Sequence, residues 1–195
     1  MYWEIFFLWV EVLVRWVHVI AGIAWIGSSF YFIALDYSLN TKTKLPLKAH
    51  GEAWQVHGGG FYHLVKYLVA PKNLPDELTW FKWEAYVTWI SGFFLLMVVY
   101  YLNADVYMVD KNVADITAGT ARIIGIASIV VGWYTYDILC KTRLVEHTTL
   151  FAIIGFILMT LAAYTLSNLL GSRAAYIHVG AMIGTMMAGN VFFNI

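Results

Sequence analysis

Residues 8–34 read LWVEVLVRWVHVIAGIAWIGSSFYFIA. The run exceeds the roughly 20 residues a helix needs to cross a hydrocarbon core, and its few polar residues fall at regular spacing. Glu11, Arg15, His18, Gly22, Trp25 and Ser29 follow one another at intervals of 4, 3, 4, 3 and 4 residues, which puts them on one stripe of a helix. An ionisable group at the centre of a transmembrane segment costs about 2.5–3.5 kcal/mol on insertion scales, so it normally faces a protein interior and a partner. The stripe is therefore expected to turn inward. Glu11 and Arg15, one turn apart, can pair and lower the cost of both. Gly22, one turn from His18, leaves room for a flat group beside the imidazole.

Working outward, four further stretches near 82–103, 119–140, 148–170 and 174–195 are long and apolar enough to span. The chain is 61% hydrophobic and 12% charged, against about 45–50% and about 25% in soluble domains, so lipid is its solvent. The sequence predicts an all-α membrane protein: a single transmembrane helical domain over 1–195, with a bundle of about five helices and an amphipathic, Gly-hinged cytoplasmic loop at 36–81. The first stretch is apolar from Ile5 to Leu35 and should tilt or extend past the bilayer. It has no basic leader or small-residue cleavage site, which predicts a retained helix. The apolar end, Asn190 to Ile195, suggests that the chain continues.

Basic residues set the expected orientation, because cytoplasmic loops are enriched in them. Lys42, Lys44, Lys48, Lys66 and Lys72 lie in the first connection, with Lys82 at its edge, and Lys141 and Arg143 lie in the third. The opposite connections hold Lys111 and Arg173 among Asp105, Asp110 and Asp115, which read as a solvated surface. The predicted topology is N-terminus outside, C-terminus inside. Within the long loop, residues 53–70 (AWQVHGGGFYHLVKYLVA) are amphipathic and interrupted by Gly58, Gly59 and Gly60. This predicts two short interfacial helices hinged at the glycines. Pro71 and Pro75 bound a turn, after which Trp80 and Trp83 lead into the second span.

Composition also excludes chemistry. Lys plus Arg (12) balances Asp plus Glu (12), which gives no reason to expect nucleic acid. Cys140 is the only cysteine; an internal disulfide, a Cys-based zinc site, an iron–sulfur cluster and a Cys-x-x-Cys-His haem attachment are all ruled out within these residues. Any metal must rely on histidine. No phosphate loop, nucleophile elbow or paired-carboxylate motif supports hydrolysis or nucleotide chemistry.

His18 has two readings: a haem iron ligand or proton relay, or a buried histidine hydrogen-bonded to a neighbouring helix. His178, about four residues into the fifth span, enters from the same outer side. With lipid contact beginning near Val12, His18 lies ~9 Å in, so the two histidines are expected at similar depth. Together they could ligate a six-coordinate haem b. The alternative is helix packing, because Gly180-x-x-x-Gly184 with Ala188 allows close approach. In the loop, His50, His57 and His63 with Glu52 nearby match no metal-ligand template. They are either solvated interfacial residues or a cytoplasmic pocket with His57 and His63 as bases. Arg122 and Asp137 read as snorkelling or interhelical contacts. A transporter using Glu11, Arg15 and His18 as a polar path lacks visible inverted repeats.

Three motifs, Trp16–Phe30, Gly51–His63 and Arg173–Ala181 continuing through Asn190–Phe193, together resemble the N-terminal membrane region of the bacterial cytochrome c-linked urate oxidases, in order and over essentially the whole chain. More loosely, through His18 and Trp25, the first helix is similar to membrane copper-resistance proteins and membrane protoporphyrinogen oxidase. The resemblance implies a multi-pass protein of the bacterial inner membrane that oxidises urate to 5-hydroxyisourate in purine breakdown, with electrons passed to a cytochrome c or respiratory complex and not directly to oxygen. Such proteins usually continue into further helices and a C-terminal cytochrome c domain. Neither lies in these residues, so electrons would leave through another protein. The expectation is a membrane oxidoreductase in which urate meets His57 and His63, haem b sits on His18 and His178, and Arg15, positioned by Glu11, balances propionate or substrate charge. The alternative is a non-catalytic haem-binding or structural subunit of a membrane electron-transfer complex.

Overall fold

The computed structural model describes residues 2–42 and 44–194; Met1, Thr43 and Ile195, the last residue of the expected fifth span, lie outside it. The element order is α1 (Tyr2–Ser38), β1 (Ala49–His57), β2 (Gly60–Tyr67), α2 (Trp83–Leu95, continued by a π-helical turn at Leu96–Tyr101), α3 (Ala104–Tyr107), α4 (Ala118–Cys140), a 3-10 turn at Arg143–Glu146, α5 (Thr148–Ser167) and α6 (Ser172–Asn194). Among the described residues, five helices are long and apolar enough to cross a membrane: α1, α2 with its π turn, α4, α5 and α6. α1, with 37 residues, is about 55 Å long at 1.5 Å per residue and exceeds a ~30 Å hydrocarbon core.

Between the first two long apolar helices the structure differs from the sequence expectation. Residues 53–70 do not form two interfacial helices; most of them lie in an antiparallel hairpin, so the fold is not all-α. The reason is local. Gly58 and Gly59 both take positive φ, 59° and 79°, as a two-residue type I′ turn demands. The flanking Trp54, Val56, Phe61, Tyr62 and Val65 are residues that pack well on a pleated surface. A helical hinge would have left the same glycines without a reason to be adjacent.

The chain divides into two units, Met1–Gly22 with Lys82–Ile195, and Ile23–Phe81. In the second, the hairpin is fastened along the C-terminal part of α1. The Tyr31 hydroxyl donates to Gln55 Oε1 at 2.7 Å, Lys66 Nζ meets Asp36 Oδ1 at 2.6 Å, and Asn40 exchanges both backbone hydrogen bonds with Glu52. Ala53 and Gly51 are buried in this unit.

In the first unit the core gathers around the end of α2: Leu96, Tyr100, Tyr101, Ala104, Met108, Ala121, Leu166, Leu170, Ala174 and Ala175. The π turn, closed by Leu102 N–H donating to Met97 O at 2.9 Å, belongs to a class of bulge frequent at functional sites. α4 and α6 approach through glycine notches: Gly125 receives His178, Gly132 receives Met182, and Gly189 receives Trp133. These are not the glycines expected from sequence. Gly180 and Gly184 have nothing within 4 Å of where a Cβ would stand, so the G-x-x-x-G row points away from the packed face, and only Ala188 of that row is buried.

Asp137 and Lys141 pair at 2.5 Å on α4, and Arg122 Nε donates to the Tyr101 carbonyl at 2.7 Å. That second contact places a cation at the C-terminal end of α2 and its π turn, where freed carbonyls gather. Arg122 is thus an interhelical contact.

Candidate functional site

Glu11 and Arg15 pair, as spacing requires, and both stay partly exposed. Further along the stripe the helix turns toward α2: His18 Nδ1 lies 3.0 Å from Thr88 O and 3.1 Å from Ser91 Oγ. Its Cε1 would stand 2.9 Å from a Cβ on Gly92. A backbone carbonyl only accepts, so Nδ1 carries the hydrogen and the lone pair is on Nε2. Orienting one ring nitrogen by a carbonyl while the other stays available is the usual support of a metal-ligating histidine.

His178 differs. It is wholly buried; Nδ1 donates to Ala174 O at 2.8 Å, and the Tyr101 hydroxyl donates to Nε2 at 3.1 Å. Tyr100 packs edge-on against the same ring, with 6.3 Å between centroids. Both nitrogens are engaged and no exposed ring edge is left. Moreover, Ser91 and Tyr101, the contacts of the two histidines on α2 and its π turn, are about 15 Å apart along that element at 1.5 Å per residue. The expectation of matched depth is overturned, and the pair does not fit as two axial ligands of one haem. His178 instead locks α6 to the π turn. Tyr101→Phe removes the donor to a buried nitrogen and should lower stability by about 1–3 kcal/mol, read by denaturation in detergent; an unchanged midpoint would show that the hydrogen bond carries no weight.

The hairpin holds the second cluster. Strand alternation places Glu52, Trp54 and Val56 of β1 and Phe61, His63 and Val65 of β2 on one face, because Trp54 pairs with His63 and Val56 with Phe61. Gln55 and Lys66, which bind α1, lie on the other face, and so does His57. The structure therefore does not bring His57 and His63 together; His57 is exposed beside the turn, and His50 is exposed at the bulge near the start of β1. His63 Nε2 lies 2.7 Å from Glu52 Oε2, and the Trp54 indole stacks on the imidazole with centroids 4.3 Å apart and planes 13° from parallel. A carboxylate accepts, so Nε2 carries the hydrogen and Nδ1 the lone pair. Carboxylate, oriented imidazole and free nitrogen form the arrangement of a general base with its positioning group. Glu52 is the residue that sequence reasoning noted without a role; a cross-strand partner becomes visible only once the register is known. Among the described residues no cluster of three or more His, Cys, Asp or Glu side chains could hold a metal ion.

A family profile described as urate oxidase N-terminal matches residues 4–195. The chain belongs to the urate oxidase N-terminal family. No curated protein and no solved structure matches it. Family membership associates the chain with urate oxidation, and the five apolar helices could span a membrane.

Proposed function

We propose that this chain is the membrane-embedded part of an oxidoreductase that converts urate to 5-hydroxyisourate and passes the electrons to a cytochrome c. The family match over residues 4–195 carries the substrate reading, and the His63–Glu52 pair supports the chemistry. The reaction adds water to urate and releases two electrons and two protons. His63 Nδ1 takes one of those protons, Glu52 holds the ring in the tautomer that leaves Nδ1 free, and Trp54 fixes its plane. The electrons leave singly to two ferric cytochrome c molecules.

Of the two histidines considered for haem b, only His18 offers a nitrogen. Such a group would supply one-electron storage, and in this reading it is held through His18 Nε2, with Arg15 and Glu11 one to two turns away on the same helix. His57 has no part in proton transfer. By the distribution of lysines, the hairpin connection lies on the cytoplasmic side of the bacterial inner membrane.

Membranes containing the chain should reduce added ferricytochrome c when urate is supplied, and only then. Reduction no greater than in control membranes would overturn the catalytic reading in favour of a structural subunit of an electron-transfer complex, a role that the fully bonded His178 already suits.

A further inference from the structure

The hairpin unit is polarised along the axis of α1. Asn40 is level with Glu52, Asp36 is tied to Lys66, and Tyr31 to Gln55. Moving toward the N-terminus of α1 therefore means moving toward the hairpin's turn, and the hairpin doubles back along the helix. A crossing that starts near Val12 and uses about 20 residues ends near Tyr31. There Phe32 packs edge-on against Phe81 with centroids 4.9 Å apart, and Trp80 precedes it in sequence. Trp80 and Tyr31 are of the amphipathic kind that gathers at lipid–water boundaries. His57 and Gly60 lie two residues beyond the level of Gln55 and Tyr62, or about 7 Å at ~3.3 Å per residue. The turn thus reaches the boundary.

What it presents there is apolar. Val56 and Phe61, paired across the strands, are 67% and 78% exposed, and Trp54 behind them is 68% exposed. Residues 53–62 contain no Asp, Glu, Lys or Arg. Lys48 and Lys72 border the opposite, open end, where Leu47, Leu68 and Val69 are also exposed and line a cavity of about 900 Å³. Exposed apolar residues thus occur at both ends, but only at the turn end are they without a flanking charge.

We propose that the turn end of the hairpin, led by Val56 and Phe61, is seated in the headgroup boundary of the bilayer that α1 crosses. The occupant of this face is lipid, and the lysine-flanked open end stands in water. The inference rests on α1 crossing a membrane and is independent of urate oxidation. It gives the hairpin a mechanical role: the interfacial tip holds the His63–Glu52 pair, a few residues back on the same strands, at the membrane surface.

The test uses the full chain with Cys140→Ser and a single new cysteine, Phe61→Cys or Leu68→Cys, carrying an environment-sensitive fluorophore in phosphatidylcholine–phosphatidylglycerol vesicles. Expected are quenching of the label at position 61 by a shallow lipid-borne nitroxide and several-fold weaker quenching of it by aqueous iodide than at position 68. Val56→Cys, on the same face, should behave as position 61 does. Iodide quenching at 61 and 56 as strong as at 68, with no effect of the lipid quencher, would overturn the proposal, as would the reverse order of the two ends.

Discussion

His63→Ala is expected to lower urate-dependent cytochrome c reduction by about 10²–10⁴-fold, the range a positioned general base contributes. The loss should fall on kcat more than on KM, because the imidazole acts on a proton that moves during reaction. Glu52→Gln keeps the size of the side chain but lets an amide face Nε2, and an amide can donate as well as accept. The ring is then free to take the other tautomer, with its hydrogen on Nδ1, so this variant should also lose turnover while binding urate much as before. His57→Ala should retain near-native rates, since His57 lies on the opposite hairpin face. Equal losses at His57 and His63 would mean that the two act together, which the register of the strands does not permit.

The second large effect concerns packing. A Cβ on Gly125 would stand 2.5 Å from His178 Nε2, 2.9 Å from its Cδ2 and 3.2 Å from Met108 Cε. The imidazole cannot swing away without breaking its hydrogen bonds to Ala174 O and Tyr101. Gly125→Ala should therefore force α4 from α6 and cost about 1–3 kcal/mol, as overpacking of a tight core does, or more where the Tyr101 bond is lost as well. Gly180→Ala and Gly184→Ala meet nothing within 4 Å, and each should stay within about ±0.5 kcal/mol. Thermal unfolding in detergent separates the two classes. Matching destabilisation at Gly125 and Gly180 would contradict the glycine-notch account of the α4–α6 contact.

The long apolar helices were legible because hydropathy over 20 residues is a strong, local signal: α4 starts and ends within one residue of the stretch read from sequence, and α5 starts where expected. The hairpin was not, although Gly58-Gly59 between two short aromatic and β-branched runs is a hairpin signature. The run Leu64-Val65-Lys66-Tyr67-Leu68-Val69 reads equally as helix face or strand, and three adjacent glycines suit a hinge between helices as well as a turn. Of the two histidines on apolar helices, His18 has its Nδ1 engaged, by Thr88 O and Ser91 Oγ. His178 has both nitrogens engaged, because its partner Tyr101 enters through a π turn, and no periodicity in the sequence announces one. The small-residue row of α6 misleads for a related reason. Spacing shows which residues share a face, yet it cannot say which face meets a neighbour, and here Gly125 and Gly132 of α4 supply the close approach.

An anaerobic stoichiometry decides whether this chain, as proposed, oxidises urate and sends the electrons to a cytochrome. Membranes bearing the chain, free of other urate-oxidising activity, are given a limiting amount of urate and excess ferricytochrome c. Two cytochromes should be reduced for each urate consumed, with 5-hydroxyisourate as product, and His63→Ala should slow that reduction by about 10²–10⁴-fold. Urate left intact, or consumed only when oxygen is admitted and without cytochrome reduction, would contradict the proposed function.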